Sequence, residues 1–282
     1  MSNQREDDSV KKGAVLNELR KLSSHKYVKL TNRGNSAIFS ALYIAKKVNF
    51  RPYILIPDQG GWITYETFPA ILGFQVKKIK TNDGIIDLDD LKENVKTGSA
   101  FIFSTYAGYF AKQDVKEISK ICRAAKCLVI EDITAALGDT ELCNSADVDV
   151  RLSSFGRWKP INLGHGGFVS CNDKDWIENT SDIFKMVTPE NMDYELLLTK
   201  LDGLKKRREM FLSRCEKVKK DLDEMDIMHR YSIGINVCVR FKTEDEKTKI
   251  INYCDTNKLE FVVCPKDIRV NTDAVSIEIK RL

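Results

Sequence analysis

The chain has 282 residues, 43% of them hydrophobic and 30% charged, and a formal net charge of +4. That length and apolar content bury a sizeable core, in one large domain plus a smaller one; the slight basic excess favours an anionic small molecule without demanding nucleic acid. No apolar stretch is long enough to span a bilayer and the start is too polar for a signal peptide, so the expectation is a soluble cytoplasmic protein without a membrane partner. The eight cysteines include no C-x-x-C pair, and Cys127, Cys171 and Cys238 lie in apolar strand-like runs. They read as reduced core residues, with neither a disulfide framework nor a metal site.

Residues 1–12 are charged and aperiodic, which predicts a mobile tail, and the first helix is expected over 15–22. A short strand at 27–30 leads through Arg33-Gly34-Asn35-Ser36 into a helix whose apolar Ile38, Ala41, Leu42 and Ala45 share one face. Strand, glycine turn and helix start together aim free backbone N–H groups at one point, which suits a phosphate; a plain N-capped helix explains the same residues. The run 53–57 is wholly apolar, as in a parallel strand buried on both faces, and is followed by a Gly60-Gly61-Trp62 loop. A helix ending at Gly73, a strand at 75–79, a helix near 88–95 and a strand at 100–104 continue the alternation.

Helix 114–125 feeds directly into strand 127–132, which ends in Glu131 and Asp132. At the carboxyl end of a strand in an open α/β sheet an acid faces the ligand crevice, and burying it requires a positive partner or else leaves it as a helix cap. A further strand, 148–155, precedes the glycine-ended loop from Ser154 to Gly167, with Lys159 at its middle, and then strand 168–171. A lysine held between strands among aromatic residues can lose solvation and attack a carbonyl to form a Schiff base. Beyond Asp173 the pattern turns helical, with apolar Leu201, Leu204, Phe211, Cys215, Val218 and Leu222 backed by a basic face. Strands at 233–241, 261–264 and 275–279, with a helix at 245–257, complete a small α+β unit. No repeat is visible, no G-x-G-x-x-G follows a strand, and no nucleic-acid-binding fold accompanies the basic helix.

Three stretches resemble the DegT/StrS-type aminotransferases, fold-type I pyridoxal phosphate enzymes that act mostly on nucleotide-linked keto sugars. They are Arg33 to Ile38, Ile130 to Gly138 and Ser154 to Gly167, in the family's order and at about its separations. The resemblance implies a three-layer α/β/α sandwich over a mostly parallel sheet with a smaller α+β C-terminal domain, divided as tail 1–12, large domain 13–180 and helical connection plus small domain 181–282. It implies pyridoxal phosphate carried by Lys159 as a Schiff base, Asp132 on the ring nitrogen, Trp62 on the ring face, and Gly34, Asn35 and Ser154 on the phosphate. The implied reaction moves an amino group from a small-molecule donor to a keto acceptor in a homodimer, with Lys159 also carrying the proton. Sugar dehydratases of the family replace the lysine by histidine, so Lys159 argues against that branch. Two departures concern substrate handling: Ala135 stands where Gln or His is usual, and Thr105 where His is usual. The asparagine lent to a neighbouring subunit's phosphate has only Asn191 as a candidate. The alternative function is a catalytically reduced relative that binds the cofactor or a phosphorylated ligand without turnover.

Overall fold

The computed structural model describes residues 2–143, 148–266 and 268–282. Seven strands form the main sheet: β1 (Tyr27–Thr31), β2 (Tyr53–Pro57), β3 (Gln75–Ile79), β4 (Gly98–Ser104), β5 (Leu128–Asp132), β6 (Val150–Ser154) and β7 (Gly167–Cys171). Their spatial order is β1-β7-β6-β5-β4-β2-β3. Neighbours from β6 to β3 pair in parallel, and β7 runs antiparallel to both β6 and β1. The sheet is therefore mostly parallel, as the resemblance implies.

Alternation along the strands builds two cores. In β4, Ala100 and Ile102 pack with Ile38, Leu42 and Ala45 of α2 (Gly34–Val48), while Phe101 and Phe103 pack on the other face with Ile118 and Cys122 of α3 (Val115–Ala124). Strands buried on both faces need uninterrupted apolar sequence, which is why β2 and β4 carry it. All eight cysteines are buried free thiols, as their apolar settings suggest.

Two helical expectations change. The charged segment before Val15, where a mobile tail is expected, belongs to α1 (Ser2–Ser23), so the first helix starts well ahead of the expected 15–22. The helix is set by tertiary packing: Val15 and Leu19 are buried with Leu197 and Leu201 of α4 (Tyr194–Asp202), and Lys11 bridges Asp7 and Glu195 at 2.8 Å each. The basic amphipathic stretch is broken at Gly203, which ends α4 and starts α5 (Leu204–Asp221).

The C-terminal sheet holds β8 (Asp226–Ile227), β9 (Val237–Arg240), β10 (Phe261–Cys264) and β11 (Ala274–Ile277), in the order β8-β9-β11-β10 and antiparallel throughout. The short β8 has no periodicity of its own and escapes sequence reading. Phe211, Cys215 and Val218 of α5 and Ile250 and Cys254 of α6 (Glu244–Thr256) cover this sheet, and Tyr106, Ala135 and Ala136 of the larger unit join the same core. The small sheet is thus anchored beside the carboxyl ends of β4 and β5.

Candidate active site

The carboxyl ends of β4, β5 and β6 deliver Ser104, Asp132 and Ser154 to one pocket, which Gly34, Asn35, Trp62, Tyr106, Tyr109 and Lys159 also line. All six residues singled out in the sequence therefore meet there, from four separate stretches of chain.

Asp132 is 8% exposed. Its Oδ2 accepts from the Tyr65 hydroxyl at 2.7 Å and its Oδ1 from the Thr134 backbone N–H at 2.9 Å. Both donors are neutral, and among the described residues no cation pairs with this carboxylate. No helix starts at Asp132, which removes the capping alternative; the cap carboxylate of the next short helix is Asp139, whose Oδ1 accepts from the Glu141 amide. Burial and the nearby Asp132 charge push the Tyr65 phenol well above its ordinary range, so it acts as a donor.

Pleating turns the adjacent acid the other way. Glu131 accepts from Arg151 Nε at 2.9 Å and from Thr105 Oγ1 at 2.9 Å, and both members of the ion pair are fully buried. Thr105 therefore faces this internal pair and lies outside the pocket lining, whereas Ala135 lies within it.

Helix α2 begins without a side-chain cap. Asn35 accepts from Trp62 Nε1 at 2.9 Å, and Ser36 donates to Asn32 Oδ1 at 2.6 Å, so neither closes the helix end. Among the described residues no side chain caps its first turn, whose N–H groups lie at the positive end of the helix dipole. Gly34 is required by close approach: a Cβ there would lie 2.4 Å from Ser154 Cβ and Oγ. Ser154 is itself oriented, its N–H donating to Thr134 Oγ1 at 2.9 Å and its Oγ accepting from the Gly156 N–H at 3.2 Å.

The lysine loop is braced from below. Phe155 and Ile161 are buried, and the Phe155 carbonyl accepts from the N–H of Leu163 at 2.8 Å and of Gly164 at 3.1 Å. Lys159 Nζ lies 4.6 Å from the Trp62 ring centroid and 4.8 Å from that of Tyr109, and it is hydrogen-bonded to the Tyr109 hydroxyl. The C-terminal segment completes this wall: Arg269 and Lys280 lie 5.0 and 4.8 Å from the Tyr109 ring, and Arg281 lies 4.4 Å from the Trp158 ring. Sequence reading missed Tyr65, Ser104, Tyr109, Thr134 and these C-terminal cations. Thr134 alone had a local signal, lying two residues past Asp132; the Tyr65–Asp132 contact spans 67 residues and the Lys159–Tyr109 contact 50.

With this geometry in place, comparison with known proteins is decisive. The sequence pattern of the DegT/DnrJ/EryC1/StrS aminotransferase family matches residues 15–195. The chain belongs to that family. Residues 205–282 match a second pattern, the MJ1341 family C-terminal domain. A search of curated proteins finds no match. Among solved structures, a DegT/DnrJ/EryC1/StrS aminotransferase from Brucella abortus aligns with TM-score 0.73 at 14% identity, covering 95% of this chain and 84% of its own. Helicobacter pylori PseC, an aminotransferase of pseudoaminic acid biosynthesis, gives 0.73 at 16% over 95% and 85%. The 3-amino-5-hydroxybenzoic acid synthase gives 0.73 at 14% over 96% and 85%. At such identities these likenesses establish the fold-type I architecture.

The cofactor of the DegT/DnrJ/EryC1/StrS family is pyridoxal phosphate. The pocket suits it chemically. A nearly buried carboxylate supplied with only neutral donors matches a protonated ring nitrogen, an uncapped helix end against Ser154 matches a phosphate, and Lys159 offers an amine between two aromatic faces.

Proposed function

We propose that this chain is a pyridoxal phosphate-dependent aminotransferase that transfers an amino group to a keto sugar or nucleotide-linked sugar. The observation that supports it most directly is the convergence of Lys159, Asp132 and the open end of α2 on one pocket. When bound, the cofactor supplies an aldehyde that condenses with primary amines and a ring that accepts the electron pair of a broken C–H bond.

The chain's residues have distinct tasks in this reading. Lys159 would hold the cofactor through Nζ, and the same amine would accept and return a proton as the general base of the site. Asp132, oriented by Tyr65 and Thr134, keeps the ring nitrogen protonated. Gly34 and Asn35, at the start of α2, and Ser154 bind the phosphate. Trp62, fixed by its bond to Asn35, covers the ring face and excludes water.

The test is borohydride reduction of the reconstituted protein followed by peptide mapping. The expected result is a pyridoxyl group on Lys159, loss of that label in Lys159→Ala, and bleaching of the visible band by an amino donor. A label elsewhere overturns the reading. A second reading, a cofactor-binding protein without turnover, is favoured by one observation: Ala135 presents only a methyl to the pocket, and Thr105 is turned to Glu131. Labelling of Lys159 with no bleaching by any donor selects it.

The assembly we propose is a two-fold homodimer, the commonest closed arrangement of soluble chains. Arg281 on Trp158 and Lys280 on Tyr109 already provide part of the lysine loop's cover, so a partner is needed only for the remaining opening. Light scattering with and without cofactor checks this.

A further inference from the structure

Tyr109 occupies an unusual position for a residue that no local motif marks. Its φ is +73°, a left-handed conformation that costs a non-glycine residue about 1–3 kcal/mol in a general setting and persists only where surroundings enforce it. The enforcement is visible. Its carbonyl accepts from the N–H of Ile235 at 2.8 Å and of Asn236 at 3.0 Å, both from the C-terminal unit. The preceding Gly108 donates its N–H to the Gly60 carbonyl at 2.8 Å, tying the turn to the Trp62 loop. Gly234 passes so close that a Cβ there would lie 2.5 Å from the Phe110 backbone.

The ring is fixed as firmly as the backbone. Arg269 and Lys280 both lie over it, and their charges are organised by Glu278, which accepts from Arg269 Nε at 2.9 Å, Arg269 Nη2 at 2.8 Å and Lys280 Nζ at 2.8 Å. A cation over a tyrosine face restrains the ring through its quadrupole. All this orientation delivers one polar atom, the hydroxyl, to Lys159 Nζ.

We propose that Tyr109 is a further catalytic residue of this site, its hydroxyl serving as the proton partner of the Lys159 amine, with Arg269 and Lys280 as positioning residues that act through its ring. In each exchange one O–H bond breaks as one N–H bond forms, or the reverse, and no oxidant or reductant is involved. Transfer of the phenol proton to Nζ leaves a negative oxygen beside Arg269 and Lys280. The other charged and titratable groups around the pair are Glu278 and Arg281 from the C-terminal end, and Asp132 with Tyr65 on the opposite wall. Condensation of an amine with an aldehyde requires proton loss at nitrogen and proton gain at oxygen, so a fixed acid–base partner accelerates it.

The inference rests on the proposed role of Lys159 and is testable without turnover. Apoprotein is treated with formaldehyde and cyanoborohydride, and methylation of Lys159 is followed by peptide mass against pH. Tyr109→Phe, which keeps the ring, is expected to slow this labelling about 10²-fold, the lower end of what a positioned acid or base contributes. Site-specific replacement of Tyr109 by a difluorotyrosine, nearly isosteric but more acidic, is expected to move the pH profile to lower pH. An unchanged profile for the difluorotyrosine protein overturns the proposal even if Tyr109→Phe labels slowly, because that combination reports packing alone. If Tyr109→Phe fails to fold, the difluorotyrosine profile decides. Wild-type protein that captures no pyridoxal phosphate on Lys159 overturns instead the broader functional reading.

Discussion

Two buried carboxylates, Glu131 in the main sheet and Glu278 beside the small one, show how differently the same group is managed in the two units. Glu131 faces one cation, Arg151, and a threonine hydroxyl; burial pushes its carboxyl above the usual range and Arg151 only partly offsets this. Glu278 is as deeply buried, yet Arg269 and Lys280 outweigh burial and hold its carboxyl at about 2. The charges facing each carboxylate, set by the fold, account for the difference: the cations Arg269 and Lys280 beside Glu278, against Arg151 and the neighbouring Asp132 charge beside Glu131. The consequence differs too. The Glu131 pair is turned away from the pocket, whereas the cations around Glu278 reach Lys159 through Tyr109.

The largest effects expected from this contrast come from removing either charge. Glu131→Gln and Glu278→Gln should each destabilise the fold by about 3–5 kcal/mol, because a buried pair loses one member. Denaturant titration measures this. Only Glu278→Gln is expected to change the rate of Lys159 labelling, and an equal change from Glu131→Gln would break the distinction. Next, Asp132→Asn should retain cofactor but lower turnover about 10²–10³-fold, as when one preorganised electrostatic contact is lost. Asp132→Asn reacting with donor at the wild-type rate would remove Asp132 from the mechanism.

The pH dependence of stability separates the two regions further. Burial, reinforced by the Arg151 charge, lowers the His25 pKa from 6.5 to about 4. Between those values the unfolded chain binds the proton and the folded chain does not, so stability falls as pH drops from about 6.5 to 4, by about 3 kcal/mol in all. Glu278, lowered from 4.5 to about 2, contributes its own loss only in the more acidic window between those values. Denaturation midpoints across pH 4–7 should flatten in His25→Gln and stay steep in Glu278→Gln. The smallest effect expected is from Trp62→Phe, which keeps a ring but deletes the 2.9 Å bond to Asn35 and should weaken cofactor binding by about 0.5–1.5 kcal/mol. A spectroscopic cofactor titration measures it.

Much of the fold was legible because its signals are local. The bounds of β2 and β3 coincide with the expected strands, since the apolar run closed by Pro57 in β2 and the short polar-mixed run between Phe74 and Lys80 in β3 are properties of neighbouring residues. The start of α1 and the strand β8 were not legible: the first depends on packing against α4, and the second is two residues paired to Arg240 and Val239. Short elements lack the length over which periodicity shows.

The same division runs through the site. Sequence alone determined that strand, turn and helix would alternate, that acids would end one strand, and that a single lysine would sit in a glycine-ended loop, because each is written within about ten residues. Tertiary structure decided which acid enters the pocket. Pleating sends adjacent residues to opposite faces, and only the sheet's neighbours determine that Asp132 meets Tyr65 while Glu131 meets Arg151. It also brought Tyr109, Arg269 and Lys280 to Lys159, residues whose spacing along the chain carries no record of their meeting. Contacts across such separations depend on how whole layers pack, and a one-dimensional pattern encodes only the faces that pack.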